Sequence, residues 1–244
     1  MRNLLLTISF DGTAYHGWQV QENAVTVQQT LQDALEHICS KRDNIVGCSR
    51  TDAGVHANMY CCNIRTESTI ECSKLVGALN AVLPRDIAAL SCEEVDYDFH
   101  ARYDCKSKEY IYKIWNSPNK NPFLYNHSLH YKYPIDAEFL SCQAKGFIGT
   151  YHFDAFCASG SSVEDTERTV MNASVEREGD MVIFRVEADG FLYNMVRIMA
   201  GTLIDISRGK IPADSIKEII LSGNRDEAGY TAPAHGLYLN KIHY

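Results

Sequence analysis

The order in which the apolar pattern changes over the first hundred residues constrains this chain more than any other feature. Residues 4–10 read as a strand. Val27, Leu31, Ala34, Leu35 and Ile38 then share one stripe at helical spacing, which predicts a helix over residues 27–38. Thr26, followed three residues later by Gln29, has the spacing of a capping box at its start. Residues 45–49 and 60–65 read as two short strands. Ser73 is placed to cap a second helix carrying Leu75, Val76, Leu79 and Val82, which Pro84 ends. Residues 87–95 are a further strand. The order strand, helix, strand, strand, helix, strand is that of a split α/β sandwich.

A second unit starts near Cys105. Tyr110, Tyr112 and Ile114 face one side of the next segment, and Ile111, Lys113 and Trp115 the other, which is strand alternation. Asp136 is placed to cap a helix running to Phe147. Residues 170–175 and 181–186 read as a hairpin around Glu178-Gly179-Asp180. Leu192, Met195, Val196, Met199, Leu203 and Ile206 lay out an amphipathic helix. Pro212 suits the first turn of a last helix through Leu221, and residues 237–242 form a final strand. The expected architecture is α+β with largely antiparallel sheets, in an N-terminal half of residues 1–104 and a C-terminal half of residues 105–244.

Composition narrows the function. The 244 residues are 45% hydrophobic and 22% charged, which excludes disorder, collagen and coiled coil as whole-chain readings. No repeat at a fixed period points to a solenoid or propeller. The 23 Lys and Arg against 31 Asp and Glu give a net charge of −8, which disfavours a uniformly basic nucleic-acid binder. A basic cleft inside an acidic shell remains open, because phosphate binding depends on local charge. The nine cysteines are odd in number and contain no CxxC pair, so neither a disulfide framework nor a zinc ribbon fits. Reduced thiols in a cytosol are expected. No apolar stretch approaches the roughly 20 residues that span a bilayer, and the opening residues fit a first strand better than a signal peptide.

The sharpest local feature is Ser49-Arg50-Thr51-Asp52-Ala53-Gly54-Val55-His56. An Arg and an Asp two residues apart sit in a loop leaving a strand, beside small residues that admit a close ligand or backbone. Taken alone, the segment reads equally well as a surface turn with a local ion pair.

Its context resembles one family. The stretch from Arg50 to Ala57 matches the catalytic segment of the TruA family of tRNA pseudouridine synthases, with Ser49 where that family normally has Gly. Phe10-Asp11-Gly12-Thr13, Tyr15 and Gly17-Trp18-Gln19 resemble its FDGxxYxGWQ, and Val27-Gln28 its VQ helix start. Leu79-Asn80, Leu83-Pro84 and Asp86-Ile87 resemble LNxxLPxDI, and Phe99-His100-Ala101-Arg102 resembles FHAR. Lys108, Tyr110 and Tyr112 resemble its K-x-Y-x-Y strand, Phe191 to Arg197 its FLxxMVR, and Ala232 to Leu237 its APAxGL. The resemblance covers essentially the whole chain.

It implies two ferredoxin-like, RRM-like halves meeting at a central cleft, and an isomerase that turns uridine into pseudouridine with no cofactor and no metal. It implies a homodimer acting on tRNA in the cytoplasm, at tRNA positions 38–40 of the anticodon stem-loop. Asp52 is then the catalytic carboxylate, Arg197 its cationic partner, Tyr110 the aromatic under the target uracil, and Arg50 the side chain that enters the RNA stack. The chemistry suits an anion at Asp52, since breaking a glycosidic bond develops positive charge at C1′. Burial alone would raise its pKa, so a cation is required beside it. His56 reads as a residue that holds the loop, and a zinc site at His56, Cys61 and Cys62 is disfavoured because adjacent cysteines seldom share one tetrahedral ion. His100 and Arg102 divide between phosphate contact and support of the fold. Arg50, Arg65, Arg102, Lys106, Lys108 and Arg197 are the candidates for a basic path. The other readings are a paralogue acting on another RNA and a non-catalytic RNA-binding protein of the same fold.

Overall fold

The computed structural model describes residues 1–160 and 163–244. In chain order the elements are β1 (Arg2–Phe10), α1 (Val27–Cys39), β2 (Ile45–Gly47), β3 (His56–Thr66), α2 (Cys72–Val82) and β4 (Ile87–Val95). There follow β5 (Ser107–Trp115), β6 (Leu129–His130), α3 (Ala137–Ala144), β7 (Gly149–His152), β8 (Glu167–Glu178) and β9 (Met181–Ala188). The last are α4 (Met195–Ser207), α5 (Ile216–Ser222) and β10 (Leu237–His243). The chain is α+β, as the sequence pattern predicts. It divides into two compact units, Met1–Lys106 with Leu239–Tyr244, and Ser107–Tyr238.

In the first unit the strands run β4-β1-β3-β10, with β2 also on β3. β1 pairs antiparallel with both β3 and β4. Leu4, Leu6 and Ile8 are fully buried, as are Leu31 of α1 and Leu75 and Leu79 of α2, so both helices spend their apolar stripes on this core. Thr26 Oγ1 accepts from Gln29 N at 3.4 Å, as its capping spacing predicts. Ser73 does not cap α2. The helix starts one residue earlier, its first turn closed by Leu75 N donating to Glu71 O, and Ser73 lies inside that turn. On the opposite face of the sheet the chain after β4 docks onto Asn3 and Asn63. Asn3 Nδ2 donates to Asp96 O at 3.0 Å and Phe99 O at 2.9 Å, Asn63 Nδ2 donates to Asn3 Oδ1, and Ala101 N donates to Asn63 Oδ1. A fully buried asparagine is tolerated because both its donor and its acceptor are used.

In the second unit the order is β5-β9-β8-β7, with β6 parallel to β5. The β8–β9 hairpin pairs Glu178 with Met181 and turns on Gly179-Asp180. Gly179 has φ +59, and Asp180 is not among the positive-φ residues, the sign pattern of a II′ turn. Phe147, Phe153, Phe156, Tyr112 and Phe184 form the aromatic centre of the core, with Phe147 and Phe156 edge to face at 5.3 Å.

α4 differs from its expected amphipathic form, for it is buried on nearly every face. A Cβ on Gly201 would meet Tyr230 O at 1.8 Å, and Thr202 Oγ1 accepts from Gly229 N at 2.9 Å. The small residues on that side let the strap before β10 lie against the helix. Pro212 also differs: it falls outside α5. Asp214 takes a left-handed φ of 61, held by Gln143 Oε1 on its N–H at 2.6 Å, and the helix path begins only after it. Asp136 caps α3 as predicted, accepting from Phe139 N at 2.9 Å.

Candidate active site

The loop between β2 and β3 carries Arg50 and Asp52. Val55 N donates to Asp52 O at 3.2 Å, and Gly54 at the third position of this turn has φ +77. That is the type II geometry, which asks for glycine at this point. The turn is clamped by the segment after β1. Trp18 N donates to Thr51 O at 3.2 Å, and Gly54 N donates to Tyr15 O at 3.2 Å.

Close approach explains the glycines of that segment. A Cβ on Gly12 would meet Val55 O at 2.0 Å, and one on Gly17, whose φ is +83, would meet Thr51 O at 2.2 Å. Asp11 caps the short turn at residues 12–14 through Thr13 N at 2.9 Å. Tyr15 hydroxyl donates to Asp86 Oδ1 at 2.7 Å, and Asp11 N to Asp86 O at 2.9 Å. Burial first, then the Asp86 carboxylate, push the Tyr15 phenol well above its ordinary value, so it stays a neutral donor.

His56 is fully buried at the start of β3. Gly12 N donates to its Nδ1 at 3.1 Å, and Asp11 Oδ1 lies 3.0 Å from the same nitrogen. His56 therefore ties the end of the β2–β3 loop to the Asp11-Gly12 turn. On the other side of the loop, Trp18 stacks on Tyr60 at 4.1 Å between ring centroids, and the Tyr60 hydroxyl donates to Ser49 O. Gly47 has no room for a side chain beside this aromatic pair. The result is a loop fixed on one flank by backbone bonds to Tyr15 and Trp18 and on the other by the Tyr60 hydroxyl, with Asp52 intermediate in burial and Arg50 exposed.

Tyr110 and Arg197 both belong to the second unit. Tyr110, on β5, is buried, with Phe191 edge to face at 5.0 Å. Arg197 lies in the first turn of α4. Its Nε donates to Ala232 O at 2.7 Å and its Nη1 to Asn194 Oδ1 at 2.6 Å. Ala232 N in turn donates to Arg197 O at 3.1 Å. Asn194 adopts the left-handed conformation at φ 61, where asparagine is among the few residues tolerated. Tyr112 hydroxyl donates to Pro233 O at 2.8 Å, and a Cβ on Gly236 would meet the Tyr112 ring at 2.7 Å. The Ala232 to Gly236 stretch is thus a backbone cradle for Arg197 and Tyr112. Burial, then Arg197 and His127, hold the His235 imidazole below its ordinary value.

The bonds show what several motif residues do, which sequence spacing alone does not. Asn80 bridges the edge of β4, donating to Ala89 O and accepting from Ala89 N, both at 2.8 Å. His100 Nδ1 accepts from Arg102 N and Tyr103 N, a turn-holding role. Arg102 is exposed, with its guanidinium 5.9 Å from the Tyr103 ring centre. Asn194 accepts from Arg197 and Asp86 from Tyr15, and the sequence signal for both is a polar residue inside an otherwise apolar motif.

The sequence profile of the tRNA pseudouridine synthase family matches residues 6–104 and 143–244. Arg50, Asp52 and Arg197 lie inside these spans, and Tyr110 lies outside them. Three relatives align end to end with this chain. The tRNA pseudouridine synthase A of Acetivibrio thermocellus is 47% identical over 244 residues, covering 100% of both chains. The protein of that name from a Thermoanaerobacter strain is 46% identical over 244 residues, again covering 100% of both. A Clostridium perfringens relative, named tRNA pseudouridine synthase A 2, is 43% identical with the same coverage. The chain is an isomerase that converts uridine to pseudouridine in RNA. It belongs to the TruA family of tRNA pseudouridine synthases, and tRNA pseudouridylation is its activity. No helix among the described residues is long and apolar enough to cross a membrane.

Proposed function

We propose that Asp52 is the carboxylate that carries this reaction, on uridines at tRNA positions 38–40 of the anticodon stem-loop, without a cofactor. The observation that carries this reading is the loop itself. Its carboxylate sits at the first position of a type II turn, and backbone bonds from Tyr15 and Trp18 fix that turn. A rigid backbone is what a positioned anion requires, since reactivity depends on geometry held before the substrate arrives. Asp52 either attacks C1′ or removes the C2′ proton. Along both routes the N1–C1′ bond breaks, the uracil turns, and a C5–C1′ bond forms as the C5 hydrogen leaves. Base and sugar keep their atoms except for that exchanged hydrogen.

The remaining roles follow from the same reading. Arg197 is the cation that serves the carboxylate, and two of its nitrogens are already fixed by Ala232 O and Asn194 Oδ1. Tyr110 supports the uracil ring, a stacking contact of about 1–3 kcal/mol. Arg50, exposed at the loop tip, fills the place of the extruded base, as a planar guanidinium is suited to do. The enzyme acts as a homodimer in the cytoplasm.

Tritium release from tRNA transcripts labelled at uracil C5 tests the central claim. Wild type is expected to release the label and Asp52→Asn to release none while still binding tRNA. Release by the variant at the wild-type rate would remove Asp52 from the chemistry. Transcripts with single uridine replacements at positions 38, 39 and 40 locate the target, and the mass in solution tests the dimer.

A further inference from the structure

Three separate chain segments of the second unit bring cations and tyrosines together at the C-terminal end of α4. Lys132 and Tyr133 follow β6. Arg208 and Lys210 follow α4. Tyr230 comes from the strap before β10. Tyr133 is half-exposed, with Lys132 Nζ 5.2 Å and the Arg208 guanidinium carbon 5.4 Å from its ring centre. Tyr131 meets Tyr133 edge to face at 5.7 Å. Tyr230, itself 41% exposed, has Asp205, Tyr131 and Arg208 as its electrostatic neighbours.

Electrostatics at the helix end accounts for only part of this cluster. Cations after a helix C-terminus offset its dipole, and Lys210 pairs with the mostly buried Asp205 at 3.1 Å. Neither reason explains Lys132, which arrives on another element, or the half-exposed ring it shares with Arg208. Beneath the same patch the Tyr131 hydroxyl is buried with no hydrogen-bond partner among the described residues, which is unusual in a packed domain. The chain as a whole carries −8, so two cations on the half-exposed Tyr133 ring, one of them also beside Tyr230, stand out locally.

Cations that reach phosphate, beside aromatic faces that accept a base or ribose, are the chemistry of nucleic-acid contact. The distance from the reaction residues is also informative. Arg208 lies eleven residues beyond Arg197 along the α4 path, about 16 Å at 1.5 Å per residue. One nucleotide does not span that distance. We propose that Lys132, Tyr133, Arg208 and Tyr230 form a second RNA-binding patch, which holds the sugar–phosphate backbone of the substrate tRNA away from the uridine being modified. This inference rests on the tRNA activity and on the stem-loop target proposed above.

Binding tests it separately from chemistry. Full-length tRNA and a short hairpin carrying only the target stem-loop are titrated against the full-length protein at several salt concentrations. The Lys132→Ala/Arg208→Ala variant is expected to bind full-length tRNA about tenfold more weakly, with a salt slope shallower by about 2, one for each phosphate no longer neutralised. Its affinity for the hairpin, and its kcat on saturating tRNA, are expected to match wild type. Arg208→Lys restores most of the binding, and Lys132→Glu, a single exposed change, checks the result if the double variant melts early. An unchanged Kd and salt slope for full-length tRNA overturns the patch, as does equal weakening on the hairpin. If Asp52→Asn keeps its activity while the patch variant still loses tRNA affinity, the catalytic assignment fails and the patch stands.

Discussion

Replacing Gly17 by Ala is expected to damage catalysis from a residue that touches no substrate. Gly17 has φ +83, a conformation costing an alanine about 1–2 kcal/mol. Its new Cβ would lie 2.2 Å from Thr51 O and 3.2 Å from the Asp52 carbonyl carbon. Ordinary contact begins near 3.4 Å, so the loop backbone must retreat by about 1 Å. That retreat strains the Trp18 N to Thr51 O bond, worth about 1 kcal/mol. The sum is about 2–3 kcal/mol, and at about 2–4 °C per kcal/mol for a chain of this size Tm falls by about 5–10 °C. Because the displaced atoms flank Asp52, kcat should fall about 100-fold even well below the new Tm, the expected result of a misplacement near 1 Å. Melting curves and tritium-release kinetics at a temperature where both proteins are folded read the two effects. Gly77→Ala is the matched control. Gly77 sits in α2 with nothing within 4 Å of a new Cβ, and alanine there stabilises by about 0.5–1 kcal/mol with unchanged kcat. A Gly17→Ala protein with wild-type kcat would refute the claim that this contact places the catalytic loop.

Tyr110→Phe keeps the ring proposed to stack on the uracil, so tRNA affinity is expected to hold; lost turnover would assign the hydroxyl a proton role, and unchanged turnover would leave Tyr110 a stacking platform alone. His235 gives a pH prediction. Its folded imidazole is held below the ordinary 6.5, so the unfolded chain takes up the proton first and the folded state loses stability as pH falls below about 6.5. Replacing it in His235→Asn should flatten the decline of Tm between pH 7 and pH 5.5, and parallel curves for variant and wild type would contradict the assignment. Asp136→Ala removes the side chain that caps α3 at 2.9 Å, and should cost about 1 kcal/mol in urea melts without affecting kcat.

Much of the fold is legible in local pattern. The stripe on α1, the cap at Thr26, the cap at Asp136 and the Gly179 turn each depend on residues within a few positions of one another. Features set by distant partners are not. β3 begins at His56, four residues before its apolar pattern suggests, because β1 pairs with it as far as Ala57. β6 and β7 are too short to show a period, and exist because β5 and β8 offer them edges. Ser73 and Pro212 carry the right residue types for helix starts, yet Glu71 and the Gln143-held turn at Asp214 decide where those helices begin.

The candidate site divides the same way. Sequence by itself marks the candidate loop, since Arg50 to Ala57 is one continuous motif and the chemistry proposed for it depends on residue types at fixed spacing. It also determines the need for glycine at Gly54, because a type II turn is a local demand. Only the tertiary structure decides why Gly12 and Gly17 are required, what Tyr15 and Asp86 do for one another, and how Ala232 and Asn194 hold Arg197. Apart from the local bond between Asn194 and Arg197, those are contacts between residues tens of positions apart. A side chain's own neighbours in sequence fix its backbone conformation, but only packing fixes what it meets across space.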